Sequence, residues 1–301
     1  MTLLRWLEGL RTPVGDAFFS AVTLLGEETF FTVIGLIIYW CFSKRWGVRF
    51  LLGGLMGSVL NQILKAIFIV PRPWVLDPSF TIVESAREAA TGYSFPSGHT
   101  QSGVTVFGML AAWSKKRVVV ITCVVLALLV GLSRMYLGVH TPWDVGVSLC
   151  TGALTVLAVN ALMKRCEDSD CGRTLVSLGA IGFALVLLAV TTCLPVREGS
   201  IAEFDAHGVE NAWKLLGTVT GFMLAWQLDV KRIHFEVKAV WWAQVLKCAL
   251  GIAIVMAVRV GLKPVLGTQP VASAIRYFAV ALAAGGLWPM TFGYFSKLGK
   301  R

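Results

Sequence analysis

Apolar runs long enough to cross a lipid bilayer recur along the whole of this 301-residue chain, and they constrain its fold more than any other feature. A membrane-spanning helix needs about 20 mainly apolar residues. Apolar residues make up 56% of the chain and charged residues 15%, and the mean hydropathy is +0.73. About a quarter of the residues in a soluble domain are charged, so this composition excludes a water-soluble enzyme and a disordered chain.

The positions of these runs predict nine membrane-spanning helices behind an amphipathic N-terminal segment. The runs cover residues 27–43, 50–70, 99–113, 118–133, 143–163, 174–194, 212–230, 239–259 and 272–295. We therefore expect an all-α fold, a polytopic transmembrane helix bundle. Its predicted parts are an interfacial amphipathic segment at residues 1–26, a six-span core at residues 27–194 and a three-span C-terminal extension at residues 195–301.

The positive charge of the chain is concentrated in alternate connecting segments. The net charge is +10, and excess Lys and Arg beside membrane spans mark cytoplasmic segments rather than a nucleic-acid partner. The basic segments are residues 44–49, 115–117, 164–173, 231–238 and 297–301. We expect a multi-pass membrane protein with these segments and the C-terminus in the cytoplasm. Residues 71–96 and 134–142 are then expected on the extracytoplasmic or luminal side.

The seven cysteines are scattered along the chain, mostly inside apolar runs. They form no C-x-x-C pair and no cluster with histidine, so the sequence supports neither a disulfide framework nor a zinc site. Cys166 and Cys171 share a short polar loop and are interpreted as a reduced, inert pair.

A first cluster of chemically versatile residues contains Lys65 and Arg72, followed by Pro73. Seven residues separate Lys65 from Arg72, about two helical turns, so a continuous helix would point both side chains the same way. A lysine inside an apolar run needs an anionic or polar partner because its insertion costs about 2.5–3.5 kcal/mol. The alternative is a lysine whose amine simply reaches the membrane interface.

A second cluster, Pro96-Ser97-Gly98-His99, stands directly before an apolar run. Ser97 can cap the helix that follows, which leaves backbone amides at its positive end available for an anion. Gly98 would let a ligand approach the backbone closely, and His99 could donate a proton to it. The alternative is an ordinary helix start that happens to contain a histidine.

A third cluster contains Ser133-Arg134, then His140 and Asp144. The last two are four residues apart, a spacing at which side chains meet on a helix or its first turn. A carboxylate bonded to one imidazole nitrogen leaves the other nitrogen with a free lone pair, as a nucleophile requires. A capping pair at a helix start would explain the spacing but not the neighbouring arginine.

Together the three clusters contain three cations, a helix N-terminus, two histidines and one aspartate. This set suits a phosphate dianion, with cations for the phosphoryl oxygens, a nucleophile in line and an acid for the leaving oxygen. The other two histidines, His207 and His234, lie in polar loops and are expected at the surface.

The three clusters resemble the signature K-x6-R-P, P-S-G-H and S-R-x5-H-x3-D of the phosphatidic acid phosphatase type 2 superfamily, and every signature position is present. The resemblance covers residues 15–194. It implies that His140 is the nucleophile and forms a phosphohistidine, that Asp144 orients it, and that His99 protonates the leaving alcohol and later activates water. It also implies a set of phosphate-binding residues, namely Lys65, Arg72, Ser97, Gly98 and Arg134, and no metal or other cofactor.

The resemblance indicates a phosphorylated membrane lipid as the substrate, either a monoester or a diphosphate. Gly26-Glu27-Glu28 is similar to the sphingosine-1-phosphate phosphatase branch, whereas Trp74-Val75-Leu76-Asp77 looks like the glucose-6-phosphatase branch. A sugar-phosphate phosphatase and a lipid-linked phosphotransferase therefore stay open as alternatives. A transporter is disfavoured because transporters bind substrates near the bilayer midplane, whereas the three clusters are predicted to lie at one face of the membrane. The last three spans leave a lipid entrance and a homodimer contact open.

Overall fold

The computed structural model describes residues 1–88, 90–194 and 197–298 of the chain. Its described part contains helices and turns and no β-strand, which confirms the all-α polytopic helix bundle. The predicted domain boundary at residue 195 lies outside the described residues, and so does part of the predicted basic segment at residues 297–301.

The helices follow one another with short connections. In chain order they are α1 (Thr2–Gly9), α2 (Pro13–Thr23), α3 (Glu28–Ile37), α4 (Lys44–Phe68), α5 (Pro73–Leu76), α6 (Gly98–Ser114), α7 (Arg117–Tyr136), α8 (Pro142–Cys166), α9 (Asp170–Cys193), α10 (Ala202–Leu228), α11 (Trp241–Leu266), α12 (Pro270–Leu282) and α13 (Phe292–Phe295). Wider π-helical turns continue three of them, at Ile38–Phe42, Asp229–Ile233 and Ala283–Leu287.

Six helical stretches in the described residues are long and apolar enough to cross a membrane, so the chain is a multi-pass membrane protein. They are Lys44–Leu76, Arg117–Tyr136, Pro142–Cys166, Asp170–Cys193, Trp241–Leu266 and Pro270–Phe295. A bent pair of helices, Pro13–Gly26 and Glu28–Phe42, makes a seventh if it is counted as one span.

Each of the nine predicted runs falls on a helix, but three of these helices do not meet the same criterion of length and composition on their own. Helix α3 meets it only together with α2, α6 has only 17 residues, and α10 does not meet it although it has 27 residues. A run of mainly apolar residues therefore does not by itself establish that its helix crosses the membrane. Nine crossings therefore stay a prediction.

The chain divides into two compact units that each draw on separate parts of the sequence. The first contains Met1–Phe31, Met56–Ala158 and Ala189–Gly208, and the second contains Thr32–Leu55, Val159–Leu188 and Val209–Arg301. All eleven residues of the three clusters lie in the first unit. The division of the sequence at residues 26 and 194 stays a prediction.

Within the first unit, the long connection between α5 and α6 is held against the end of α7. Ala86, Ala90, Tyr136, Leu137 and Val139 form a buried apolar cluster there. The side chain of Arg11, just before α2, donates hydrogen bonds to the carbonyl oxygens of Thr81 and Tyr136. The N-terminal segment thereby fastens this connection, which carries part of the candidate site.

In the second unit, glycines of α10 allow a close approach of α12. A Cβ atom added to Gly217 would overlap the carbonyl oxygen of Ala274. We predict that Gly217→Ala lowers the free energy of unfolding by about 1–3 kcal/mol, because the overlap forces backbone to shift. Thermal unfolding in detergent measures this change.

The matched control is Gly182→Ala in α9, where no atom lies within 4 Å of the added Cβ. We expect this variant to match or slightly exceed the unmodified protein in stability, since alanine favours helix over glycine. Equal stability of the two variants would contradict the close approach of α10 and α12.

Candidate active site

The three sequence clusters meet where several helices of the first unit begin or end. Lys65 lies in the last turn of α4, Arg134 in the last turn of α7 and Asp144 in the first turn of α8. His140 lies in the short turn between α7 and α8, and Ser97 is the N-cap of α6. The Oγ atom of Ser97 accepts a hydrogen bond from the backbone of Thr100, which confirms the predicted cap.

His140 lies between an arginine and a carboxylate, and its ring is 2% exposed. Its Nδ1 atom is 3.4 Å from Oδ2 of Asp144, and its Nε2 atom is 2.8 Å from Nη1 of Arg72. A guanidinium group can only donate, so Nε2 must be the acceptor and the proton of a neutral ring must be on Nδ1. The lone pair that a nucleophile needs is therefore on Nε2, the atom that faces Arg72.

Burial is the main reason why the pKa of His140 is held well below its usual value, and the charges of Arg72, Arg134 and Lys65 lower it further. A lowered pKa keeps the imidazole neutral at pH 7. The ring is thus in the protonation state in which Nε2 can attack an electrophile.

The carboxylate of Asp144 accepts hydrogen bonds from the turn before α8 and from the loop before α6. Its Oδ2 atom accepts from the backbone N–H of Thr141 at 2.7 Å and from the hydroxyl of Ser94 at 2.6 Å. The Ser94 hydroxyl also lies 3.4 Å from Nδ1 of His140. Ser94 therefore bridges the carboxylate and the imidazole. The sequence analysis missed it, because a single serine before the P-S-G-H cluster has no distinguishing spacing.

Arg72 is held mainly by backbone carbonyl oxygens. Its guanidinium donates to Thr91 at 2.8 Å, to Gly92 at 3.0 Å and to Val139 at 3.0 Å. These carbonyl groups orient the side chain without neutralising its charge. Arg72 therefore keeps a full positive charge directly beside the candidate nucleophile.

The predicted geometry of Lys65 and Arg72 is wrong in one respect. Helix α4 ends at Phe68, before Arg72, and Ile69 has a positive φ of 44°. Pro71 cannot continue a helix and disfavours helical geometry in the residue before it. The two side chains nevertheless meet the same loop, since Lys65 donates to the carbonyl oxygen of Tyr93 and Arg72 to that of Gly92.

Arg134 is fully buried and only partly satisfied by the protein. Its Nη1 atom donates to the hydroxyl of Thr23 at 2.7 Å, whereas Nε and Nη2 have no hydrogen-bond partner among the described residues. Nε2 of His99 is buried and unpaired in the same way. A buried donor without a partner costs about 1–3 kcal/mol. These atoms are therefore suited to a bound group that accepts hydrogen bonds.

The remaining predicted positions are less informative. Gly98 has open surroundings, since an added Cβ would come no closer than 3.6 Å to Asn61. His234 is exposed, as expected, whereas His207 is half-buried, lies in α10 rather than in a loop, and lines a cavity of the first unit. The seven cysteines are free thiols in the structure.

The arrangement is suited to bind an anion beside a candidate nucleophile. Lys65, Arg72 and Arg134 supply positive charge, and Ser97 lies at the positive end of α6. No group of three or more histidine, cysteine or acidic side chains in the described residues is arranged to hold a metal ion. The arrangement favours a tetrahedral oxyanion over a divalent cation.

Comparisons with known proteins agree with this chemistry. Residues 46–168 match the family model of the PAP2 superfamily, and residues 213–301 match that of the PAP2 superfamily phosphatase, transmembrane extension. The chain is 31% identical to phosphatidylglycerophosphatase B of Bacillus subtilis, over 52% of the chain and 79% of that protein. No solved structure matches the chain significantly.

Two further relatives are more distant or match a shorter part. Undecaprenyl-diphosphatase BcrC of Bacillus subtilis is 30% identical, over 44% of the chain and 66% of that protein. Lipid phosphate phosphatase delta of Arabidopsis thaliana is 23% identical, over 78% of the chain and 57% of that protein. The chain thus spans about two thirds or less of the length of these two relatives.

The unpaired nitrogens of Arg134 generate a prediction about anion binding. We expect Arg134→Gln to weaken the binding of orthovanadate, a tetrahedral oxyanion, by about 10-fold to 100-fold, because a charged hydrogen bond contributes about 1.5–3 kcal/mol. Calorimetric titration in detergent measures the dissociation constant. The control is Arg87→Gln, which removes the same charge from an exposed ion pair with Glu84. Equal effects of the two variants on the dissociation constant of orthovanadate would contradict the assignment of Arg134 to the anion-binding site.

Proposed function

Because the chain belongs to the PAP2 superfamily, a family of phosphatases, we propose that it hydrolyses the phosphate ester or diphosphate of a membrane lipid through a phosphohistidine intermediate. Within this family the chain is an enzyme, a phosphoric monoester hydrolase. The single observation that best supports the proposed mechanism is the position of His140 Nε2. This atom bears a lone pair and lies 2.8 Å from a guanidinium that can bind the phosphate.

In the first step, the phosphate enters among Arg72, Arg134 and Lys65. Arg72 transfers its Nη1 hydrogen bond from His140 to a phosphoryl oxygen, which uncovers the lone pair of Nε2. The two unpaired nitrogens of Arg134 bind further oxygens. Desolvated donors of this kind stabilise the charge that develops in the transition state.

In the second step, Nε2 of His140 attacks phosphorus and the bond from phosphorus to the lipid oxygen breaks. His99 enters this step as an imidazolium, gives one proton to that oxygen and becomes neutral, so the lipid leaves as an alcohol or, from a diphosphate, as a monophosphate. The Nδ1 proton of His140 stays between Ser94 and Asp144, and the carboxylate stabilises the positive ring. The 3.4 Å separation from Asp144 is typical of a catalytic contact that tightens only with substrate.

In the third step, water attacks the phosphohistidine. The neutral His99 takes a proton from the water, the bond from phosphorus to Nε2 breaks, and inorganic phosphate is released. The reaction needs no metal, because three cationic side chains stabilise the phosphoryl charge that a metal ion would otherwise offset. Their positive charge also opposes the binding of a divalent cation.

The site is proposed to face the extracytoplasmic or luminal side of the membrane. Support comes from the basic segments at residues 44–49, 115–117, 164–173 and 231–238, since such segments are retained in the cytoplasm. The catalytic residues lie at the opposite ends of the helices that these segments join. A phosphate at this depth is at the level of the lipid headgroups.

The first prediction of the mechanism concerns the covalent intermediate. We expect His140→Gln to reduce hydrolysis by about 1,000-fold or more, since a covalent route loses its nucleophile. After brief incubation with 32P-labelled phosphatidic acid, acid-labile radioactivity should be bound to the unmodified protein but absent from this variant. His99→Gln should retain more label, because hydrolysis of the intermediate is slowed.

Two outcomes would contradict this mechanism. One is a loss of hydrolysis in the presence of a chelator that only added magnesium restores. The other is label that persists in His140→Gln, which would place the nucleophile elsewhere. Release of phosphate to a second acceptor with no free inorganic phosphate would instead identify a phosphotransferase.

Two native cysteines at opposite ends of α9 test the proposed orientation. Both Cys171 and Cys193 are exposed, and about 22 residues of helix lie between them, enough to cross a bilayer. In intact cells, a membrane-impermeant maleimide should modify Cys193 but not Cys171, as measured by peptide mass spectrometry. Cys193→Ser and Cys171→Ser assign the two signals, and permeabilised cells should show both. The reverse pattern in intact cells would place the site in the cytoplasm.

A further inference from the structure

A cavity of about 250 Å³ lies in the first unit, directly beside the candidate phosphate site. One wall consists of Lys65 and the loop at residues 91–93, whose carbonyl oxygens hold Lys65 and Arg72. The opposite wall comes from the end of α9 and the start of α10. The sequence motifs contain none of the residues on that second wall.

The second wall is held by direct hydrogen bonds to the loop at residues 91–93 and to the end of α4. The hydroxyl of Tyr93 donates to Oδ1 of Asp205 at 2.9 Å and accepts from the backbone N–H of Ile201 at 2.9 Å. The guanidinium of Arg197 donates to the carbonyl oxygens of Ala66 and Ile67, the two residues after Lys65. Residues 197–205 are therefore held next to Lys65 by specific hydrogen bonds.

The chemistry of the cavity argues against a charged occupant. Lys65 and Arg197 are cationic, which opposes a substrate ammonium group, and the carboxylate of Asp205 opposes a second phosphate. The polar lining also includes the side chains of Gln62, Thr191, Thr192, Ser200 and His207. Nε of Arg197 is buried without a hydrogen-bond partner among the described residues, so it can donate to an additional acceptor. Hydroxyl groups both donate and accept, and they match such a mixed lining.

We propose that this cavity binds an uncharged, hydroxyl-bearing part of the substrate next to the scissile phosphate, such as a glycerol or sugar group. The inference rests on the proposed phosphatase function and adds a preference for the alcohol that leaves. Such a group can belong to a lipid headgroup or to a soluble polyol phosphate. Both would reach the scissile phosphate from the same side, because Lys65 belongs both to the lining of the cavity and to the candidate phosphate-binding residues.

Gly208 provides a way to fill the cavity without disturbing the phosphate-binding residues. It lies in α10 and lines the cavity, and no atom is within 4 Å of an added Cβ. The experiment compares kcat/KM for phosphatidylglycerophosphate, glycerol 3-phosphate and glucose 6-phosphate with kcat/KM for phosphatidic acid. The leaving alcohol of phosphatidic acid is a diacylglycerol and carries no further hydroxyl group.

We expect Gly208→Leu to lower the ratio of kcat/KM between a polyol phosphate and phosphatidic acid by about 10-fold or more, a size typical of lost pocket contacts. Gly208→Ala should lower it less and in the same direction, which keeps the test decisive if the leucine variant fails to fold. The control is Gly182→Leu in α9, a glycine with equally open surroundings outside the cavity. Its ratio should equal that of the unmodified protein.

A reduced ratio for phosphatidylglycerophosphate alone assigns the group to a lipid headgroup, and a reduced ratio for the soluble esters assigns it to a soluble polyol phosphate. Unchanged ratios in both Gly208 variants, or an equal fall in Gly182→Leu, would overturn the inference while the phosphatase function stands. If the unmodified protein hydrolyses a polyprenyl diphosphate but none of the four esters, the inference is overturned while the proposed function stands. If it hydrolyses none of these five compounds, both are overturned.

Discussion

Three cationic side chains buried in a membrane protein are the constraint on which the rest of the site depends. Arg134 is 0% exposed, Arg72 2% and Lys65 8%. In the described part of the chain, their hydrogen bonds go to carbonyl oxygens, a hydroxyl group and an imidazole rather than to carboxylates. Burying a charge without an opposite charge is expensive. The three cations share one site with a single buried carboxylate of the signature, Asp144, and this excess of positive charge supports the proposed binding of a phosphate group.

The loop at residues 91–94 organises this charge. Its carbonyl oxygens bind Arg72 and Lys65, and its Ser94 hydroxyl bridges His140 and Asp144. The aromatic ring of Tyr93 packs edge to face against Phe204, with the centroids 5.4 Å apart, and its hydroxyl binds Asp205. A single short loop therefore connects the candidate catalytic residues with the start of α10. The segment at residues 197–208, which contains no sequence motif, is thereby attached to this loop. It also lines the cavity that is proposed to recognise the substrate.

Much of the candidate site could be predicted from residue types and spacing, because these interactions are local. The N-cap of Ser97 and the contact of His140 with Asp144 each involve residues within one helical turn. The helical relation of Lys65 to Arg72 was wrong because Pro71 ends that regularity. Thr23 and Ser94 could not be found in this way. Each is a single hydroxyl whose partner is distant in sequence, and no local pattern records such a contact.

The sequence by itself determined that the chain crosses a membrane as an all-α bundle and that three clusters of polar residues lie at helix ends, since hydropathy and helical spacing are properties of neighbouring residues. Only the tertiary structure decided which nitrogen of His140 carries the lone pair, which nitrogens of Arg134 have no partner among the described residues, and that residues from 190–194 and 197–208 line a cavity with Lys65. These features depend on how helices that are distant in sequence pack against each other. That arrangement follows from packing and from the pairing of buried polar groups across the whole fold.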